Sequence, residues 1–87
     1  MNNAVTAASI EAKIAEVEYL NPASAPDMTL CILQLKNGFV VIGQSRPVDP
    51  ANFDAALGRQ LARTDAIRQI WPLEGYLLRE QLAGAEG

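Results

Sequence analysis

The chain reads as an α+β protein: an N-terminal helix, a two-stranded antiparallel β-hairpin, a long helix, and a short C-terminal helix broken at Trp71-Pro72. Three observations predict that order. Asn37-Gly38 lies between two apolar, β-branched runs, residues 29–35 and 39–43, and this dipeptide is the strongest short-range hairpin signal. Asp49-Pro50 offers an N-cap followed by a proline at the first helical position. Phe53, Leu57 and Leu61, then Ile67, Ile70 and Trp71, continue an apolar stripe at helical spacing for about five turns.

The first helix is expected over about residues 7–19. Thr6 or Ser9 can cap it, and Ile10, Ile14 and Val17 form its apolar stripe, with Glu11, Lys13, Glu16 and Glu18 on the other side. Residues 21–27 are rich in helix breakers and read as a loop. In the hairpin, a two-residue type I′ turn at Asn37-Gly38 sets Lys36 opposite Phe39, Leu35 opposite Val40 and Leu33 opposite Ile42. Alternation then puts Cys31, Leu33, Leu35, Val40 and Ile42 on one face, and Leu30, Ile32, Gln34, Lys36, Phe39 and Val41 on the other. Both faces are largely apolar, and one helix layer covers one face, so the second calls for another helix or another subunit.

In the long helix, Gly58, Ala62 and Ala66 form a stripe of small residues. A helical glycine costs about 1 kcal/mol against alanine, so the stripe predicts a close approach to the hairpin or to a symmetry-related helix. Trp71-Pro72 ends or kinks that helix. A last helix follows over about residues 72–83, with Leu73, Leu77, Leu78 and Leu82 as its apolar side and Gly75 packed tightly beside Trp71 or Tyr76.

Eighty-seven residues make a single domain spanning 1–87, with an ordered core over about residues 7–83. Apolar residues at 49% and charged residues at 20% fit a globular chain and argue against disorder. A domain this small is short of core, and one cysteine rules out an internal disulfide, leaving self-association, a dimer in the first instance, as the stabilising device. The net charge of −3 argues against a general nucleic-acid binder. The acidity is uneven: Glu11, Glu16, Glu18 and Asp27 face Lys13 alone in the first 28 residues, whereas six basic and six acidic residues cancel from Thr29 onward. No run of apolar residues is long enough to span a membrane, and the N-terminus has no signal-peptide pattern. With Cys31 in mid-strand, these features predict a soluble protein of a reducing compartment, the cytoplasm.

No histidine is present, which excludes every His-based nucleophile, base or ligand set, and a zinc site would need carboxylates alone. Neither a metal nor a cofactor is expected. Cys31 lacks a histidine partner and reads as an inert buried thiol. Asp49 is explained as a cap and Asp54 as a first-turn carboxylate favoured by the helix dipole, so no enzyme is expected. The best claim to function belongs to basic residues. Arg59 and Arg63 share a helix face, Arg68 lies further round it, and Arg46 just precedes the helix. Arginine forks recognise carboxylates and phosphates in pairs, so these residues, with Asn52 and Tyr76, form a candidate surface for an acidic partner or a nucleotide. The competing reading is a solvated helix face in which Asp65 and Arg68 pair. Phe39, Val41 and Trp71 are candidate core or interface anchors.

The runs 36–45 (KNGFVVIGQS), 48–54 (VDPANFD) and 70–78 (IWPLEGYLL) together resemble a small family of tailed-bacteriophage and prophage proteins, the gene-product-forty-nine-like family. The resemblance covers about residues 9–82. It implies a phage or prophage origin and action in the bacterial host cytoplasm, and it implies no activity. The reading that follows is a non-enzymatic accessory protein that binds and modulates a host protein. The alternatives are an oligomeric binder of a small anionic ligand such as a nucleotide, and a virion or assembly component.

Overall fold

A computed structural model describes residues 4–86. The elements run α1 (Ala7–Glu11), β1 (Ile14–Leu20), β2 (Thr29–Leu35), β3 (Val40–Ser45), a 3-10 turn (Pro50–Asn52) and α2 (Ala55–Glu86). The strands form one antiparallel sheet in the order β1-β2-β3, and α2 lies across one face of it, over β3 and β2. The class is α+β as expected, but the sheet has three strands rather than two and the C-terminal half is one long helix.

The first helix is shorter than its stripe suggested. The expected cap forms: Thr6 Oγ1 accepts from the Ser9 amide and Ser9 Oγ accepts from the Thr6 amide, both at 3.0 Å. The helix stops at Glu11, and Ile14–Leu20 is strand β1. Ile10, Ile14 and Val17 satisfy helical spacing, yet Val17 and Tyr19 also alternate with Glu16 and Glu18, and this two-residue period wins because β2 has a second edge to pair. The extra residue Ala15 bulges out between the Ile14–Leu35 and Glu16–Gln34 pairs, which returns Ile14 to the core side beside Val17 and Tyr19.

The hairpin forms in a register one residue away from the expected one. Gln34 pairs with Val40, Leu33 with Val41 and Ile32 with Ile42. A type I′ turn needs positive φ at both central residues, but only Gly38 (φ 89°) has it. The loop therefore holds three residues, Lys36 to Gly38. The Gly38 amide donates to the Leu35 carbonyl at 2.9 Å, the Leu35 amide to the Phe39 carbonyl at 2.8 Å, and Asn37 Oδ1 accepts from the Phe39 amide at 3.0 Å. A one-residue slip turns every side chain of a strand over. Val41 and Gly43 thus enter the core, whereas Val40 and Ile42, expected inside, are 46% and 53% exposed.

The core consists of Ile10, Cys31, Leu33, Leu35, Val41, Ala62, Ala66 and Ile70. The small-residue stripe of α2 meets the hairpin, as its composition predicted. A Cβ on Gly43 would overlap the Ala62 carbonyl and the Ala66 amide, and one on Gly58 would lie 2.7 Å from Thr29 Oγ1. Gly75 differs from expectation, since a Cβ there meets nothing within 4 Å. Asp49 caps only the 3-10 turn, Oδ1 accepting from the Ala51 amide at 3.0 Å. Phe53 is extended, and Asp54 caps α2 instead, its Oδ1 accepting from the Leu57 amide at 3.1 Å.

α2 runs unbroken through Pro72. Proline removes the donor for the Arg68 carbonyl, but Arg68 and Pro72 are both exposed, so the loss costs less than it would in a buried turn. The helix has 32 residues, about 48 Å at 1.5 Å per residue, and the molecule measures 56 × 21 × 18 Å. Its last turns therefore project beyond the sheet.

Two glycines test this packing. Gly43→Ala should lower the unfolding free energy by about 3 kcal/mol or more, because helix backbone has nowhere to move. Gly75→Ala should raise it by about 1 kcal/mol through helix propensity alone. Urea denaturation of both variants reads the contrast, and equal effects would contradict the close approach at Gly43.

Candidate functional site

The residues expected to form a binding surface are dispersed by the fold. Arg63, on α2, donates from Nη1 and Nη2 to Oε1 and Oε2 of Glu11, both at 2.7 Å. This fork ties the end of α1 to a helix residue 52 positions later and crosses above the inner face of β1. Arg68 pairs with Asp65 at 3.4 Å, and Arg46 with Asp27 at 3.4 Å. Arg59 is exposed and has no ion pair among the described residues. Asn52 ends the 3-10 turn and, with Arg46, lines a cleft of about 230 Å³ whose other walls include Asp27, Asp54, Phe53 and Leu57. Tyr76, 71% exposed, lies 13 residues beyond Arg63, about 20 Å along the helix.

Arg46 and Asn52 therefore share one cleft, Arg59 and Arg63 flank β1, Arg68 lies beside β3, and Tyr76 stands on the projecting helix. Of the anchors, Val41 is buried in the core, whereas Phe39 and Trp71 are 52% and 40% exposed.

Other residues do more at the sheet margins. Hydrogen bonding alternates along a strand, and Leu35 bonds to β3 through Phe39. Ile42 and Gln44 therefore direct their main-chain groups away from β2. Asp65 Oδ2 accepts from the Gln44 amide at 2.9 Å, and Gln69 Nε2 donates to the Ile42 carbonyl at 2.7 Å. The free edge of β3 is thus partly sealed by α2. Asp65 and Gln69 are four apart on one helix face, but no sequence signal marks them for this role. A third clasp, Lys13 Nζ to Glu74 Oε1 at 2.7 Å, fixes the start of β1 to α2.

Two electrostatic features matter here. Hydrogen bonds from the Arg63 guanidinium hold the Glu11 carboxyl below its ordinary value, burial opposing them only in part. Tyr19 and Cys31, direct partners across β1 and β2, are both pushed up, in each case chiefly by burial. Cys31 is thereby a protonated, shielded thiol. Among the described residues no cluster of three or more His, Cys, Asp or Glu side chains could hold a metal ion. Among the described residues no helix is long and apolar enough to cross a membrane.

These surfaces define a small α+β domain in which, among the described residues, four ion pairs form and many large apolar side chains are exposed. The chain belongs to the phage protein (N4 Gp49/phage Sf6 gene 66) family, whose model matches residues 5–82. This is the family expected from the motifs around Asn37-Gly38, Asn52-Phe53-Asp54 and Trp71-Pro72. No significant match to the chain exists among curated proteins or solved structures.

The Glu11–Arg63 fork predicts a pH dependence. A carboxyl depressed in the native state adds stability above its unfolded value of about 4.5, and that stability is lost as pH falls through the lower native value. Urea unfolding at pH 7 and pH 3 should show the wild type losing more than Glu11→Gln. The difference should stay under about 1 kcal/mol because the pair is partly exposed. Cys31 should resist a water-soluble disulfide reagent in the native protein and react within seconds in urea. Rapid native labelling would contradict its burial.

Proposed function

We propose that this phage protein is a non-enzymatic accessory factor that binds a host protein in the bacterial cytoplasm and alters its activity, and that the chain itself associates, as a dimer in the simplest case. The observation behind this reading is the distribution of apolar surface. Thirteen large apolar side chains are exposed among the described residues, whereas five large aliphatic ones (Ile10, Leu33, Leu35, Val41 and Ile70) are buried. Scattered exposed apolar residues need no explanation, but a contiguous patch marks an interaction surface. Such a patch lies on the sheet face away from α2, where Leu20, Val40 and Ile42 are exposed and Leu30 and Ile32 half-buried.

Binding of a small anionic ligand has less support, because Arg46, Arg63 and Arg68 already face carboxylates. A thermal-shift screen with nucleotides tests it directly, since a ligand that binds only the native state must raise the melting temperature.

The host-protein reading is tested by a tagged pull-down from bacterial lysate with the bound species identified by mass spectrometry. The expected result is one stoichiometric host protein, retained by the wild type and lost from Ile42→Asp with its circular dichroism unchanged. Retention of nothing but the bait, or undiminished capture by a folded Ile42→Asp, would overturn it.

A further inference from the structure

The two edges of the sheet are treated differently, and from this we infer that β1 accepts an extended basic segment of another protein as a fourth strand. The inference rests on reading the chain as a binding protein, but it uses a surface distinct from the outer face of the sheet.

The main-chain groups of Glu16, Glu18 and Leu20 face Gln34, Ile32 and Leu30 on β2, because those β2 residues point away from β3. The Lys36 amide bonding the Lys13 carbonyl at 2.9 Å continues the same alternation. Val17 and Tyr19 therefore turn both N–H and C=O outward. Two of β3's outward groups, the Gln44 N–H and the Ile42 carbonyl, find Asp65 and Gln69, but no strand or side chain among the described residues meets those of Val17 and Tyr19. α2 packs mainly on β3 and β2, and it approaches β1 from the inner face through Arg59 and Arg63, leaving the main-chain edge open. An unpaired edge of this kind is a template for strand addition.

Side chains along β1 specify the occupant. Glu16 and Glu18 are exposed on the outer face, and neither has an ion pair among the described residues. Val17 and Tyr19 lie on the inner face, Val17 being 39% exposed. An added strand thus meets carboxylates at alternate positions and apolar groups between them. Alternating lysine or arginine with valine or isoleucine satisfies both. A second copy does not: antiparallel self-pairing centred on Val17 sets Glu16 opposite Glu18, and like charges directly opposite destabilise a sheet.

The test uses two end-capped, fluorescein-labelled seven-residue peptides, one alternating lysine with valine and one alternating glutamate with valine, titrated with the full-length protein by fluorescence anisotropy. The lysine peptide should bind at least about 5-fold more tightly, from two favourable cross-strand charge pairs. Val17→Pro removes an outward N–H without touching the β1–β2 ladder and should abolish binding. Should that variant fail to fold, Glu16→Gln/Glu18→Gln keeps the edge and should erase the preference between the peptides.

No binding at millimolar protein, equal binding of both peptides, or undiminished binding by folded Val17→Pro would overturn the inference. So would a wild-type dimer in sedimentation that Val17→Pro converts to monomer, since a second copy would then own the edge. The assay needs no host protein, so its failure is read separately from failure of the pull-down.

Discussion

The structure depends on one contact, the approach of the α2 backbone to the β3 backbone at Gly43. A side chain on Gly43 would occupy the space of the Ala62 carbonyl and the Ala66 amide. The helix can sit this low because its facing residues, Gly58, Ala62 and Ala66, are small, and Thr29 fills the gap beside Gly58. From that height Asp65 and Gln69 reach round to the edge of β3. The same closeness limits the core: small residues bury little apolar area, so stabilisation must come from dense atomic contact rather than from bulk. The large side chains left over, Val40, Ile42, Trp71, Leu73 and Leu77, stand outside.

Elements marked by local chemistry were legible in the sequence. Thr6 and Ser9 cap a helix, Gly38 turns a hairpin, the small-residue stripe meets that hairpin, and Cys31 is buried. The misreadings share one cause, a choice between two local solutions that only tertiary contacts decide. Asn37-Gly38 suits a two-residue turn, but a three-residue loop needs positive φ at glycine alone, and it also turns Gly43 toward the helix. Side-chain bulk favoured Val40 and Ile42 for the core, whereas the requirement for a residue without a side chain under α2 selected the other register. Residues 14–20 fit both a 3.6- and a 2-residue period, and the unpaired edge of β2 settled the matter. Sequence alone reads Pro72 as a break because it does not show which side of the helix faces solvent. On the exposed side of a helix anchored by the Lys13–Glu74 pair, one missing hydrogen bond costs too little to break it.

The candidate site was legible to a smaller degree. The arginines were found, but their partners were not, because Glu11 and Asp27 are remote in sequence from Arg63 and Arg46. Pairing changes their meaning: an arginine held in a fork by Glu11 fastens α1 across β1, and it is no longer available to grip a phosphate without breaking that fastening.

The acidic residues change meaning in the opposite direction. On a helix, Glu16 and Glu18 would be an ordinary solvated face. On an edge strand they sit one residue either side of the outward-turned groups of Val17, and that position gives them two effects at once. They discourage two copies from pairing through β1, and they favour any strand that brings positive charge. β3 needs these effects less, since α2 already occupies two of its outward groups, and its outer side chains are uncharged. Charge is thus found on the edge that the helix leaves open. A protein selected only to remain monomeric would gain by shielding both edges with charge. One edge partly covered from within and the other left open between two carboxylates is the arrangement expected where two copies must not pair through β1 and a basic strand is admitted.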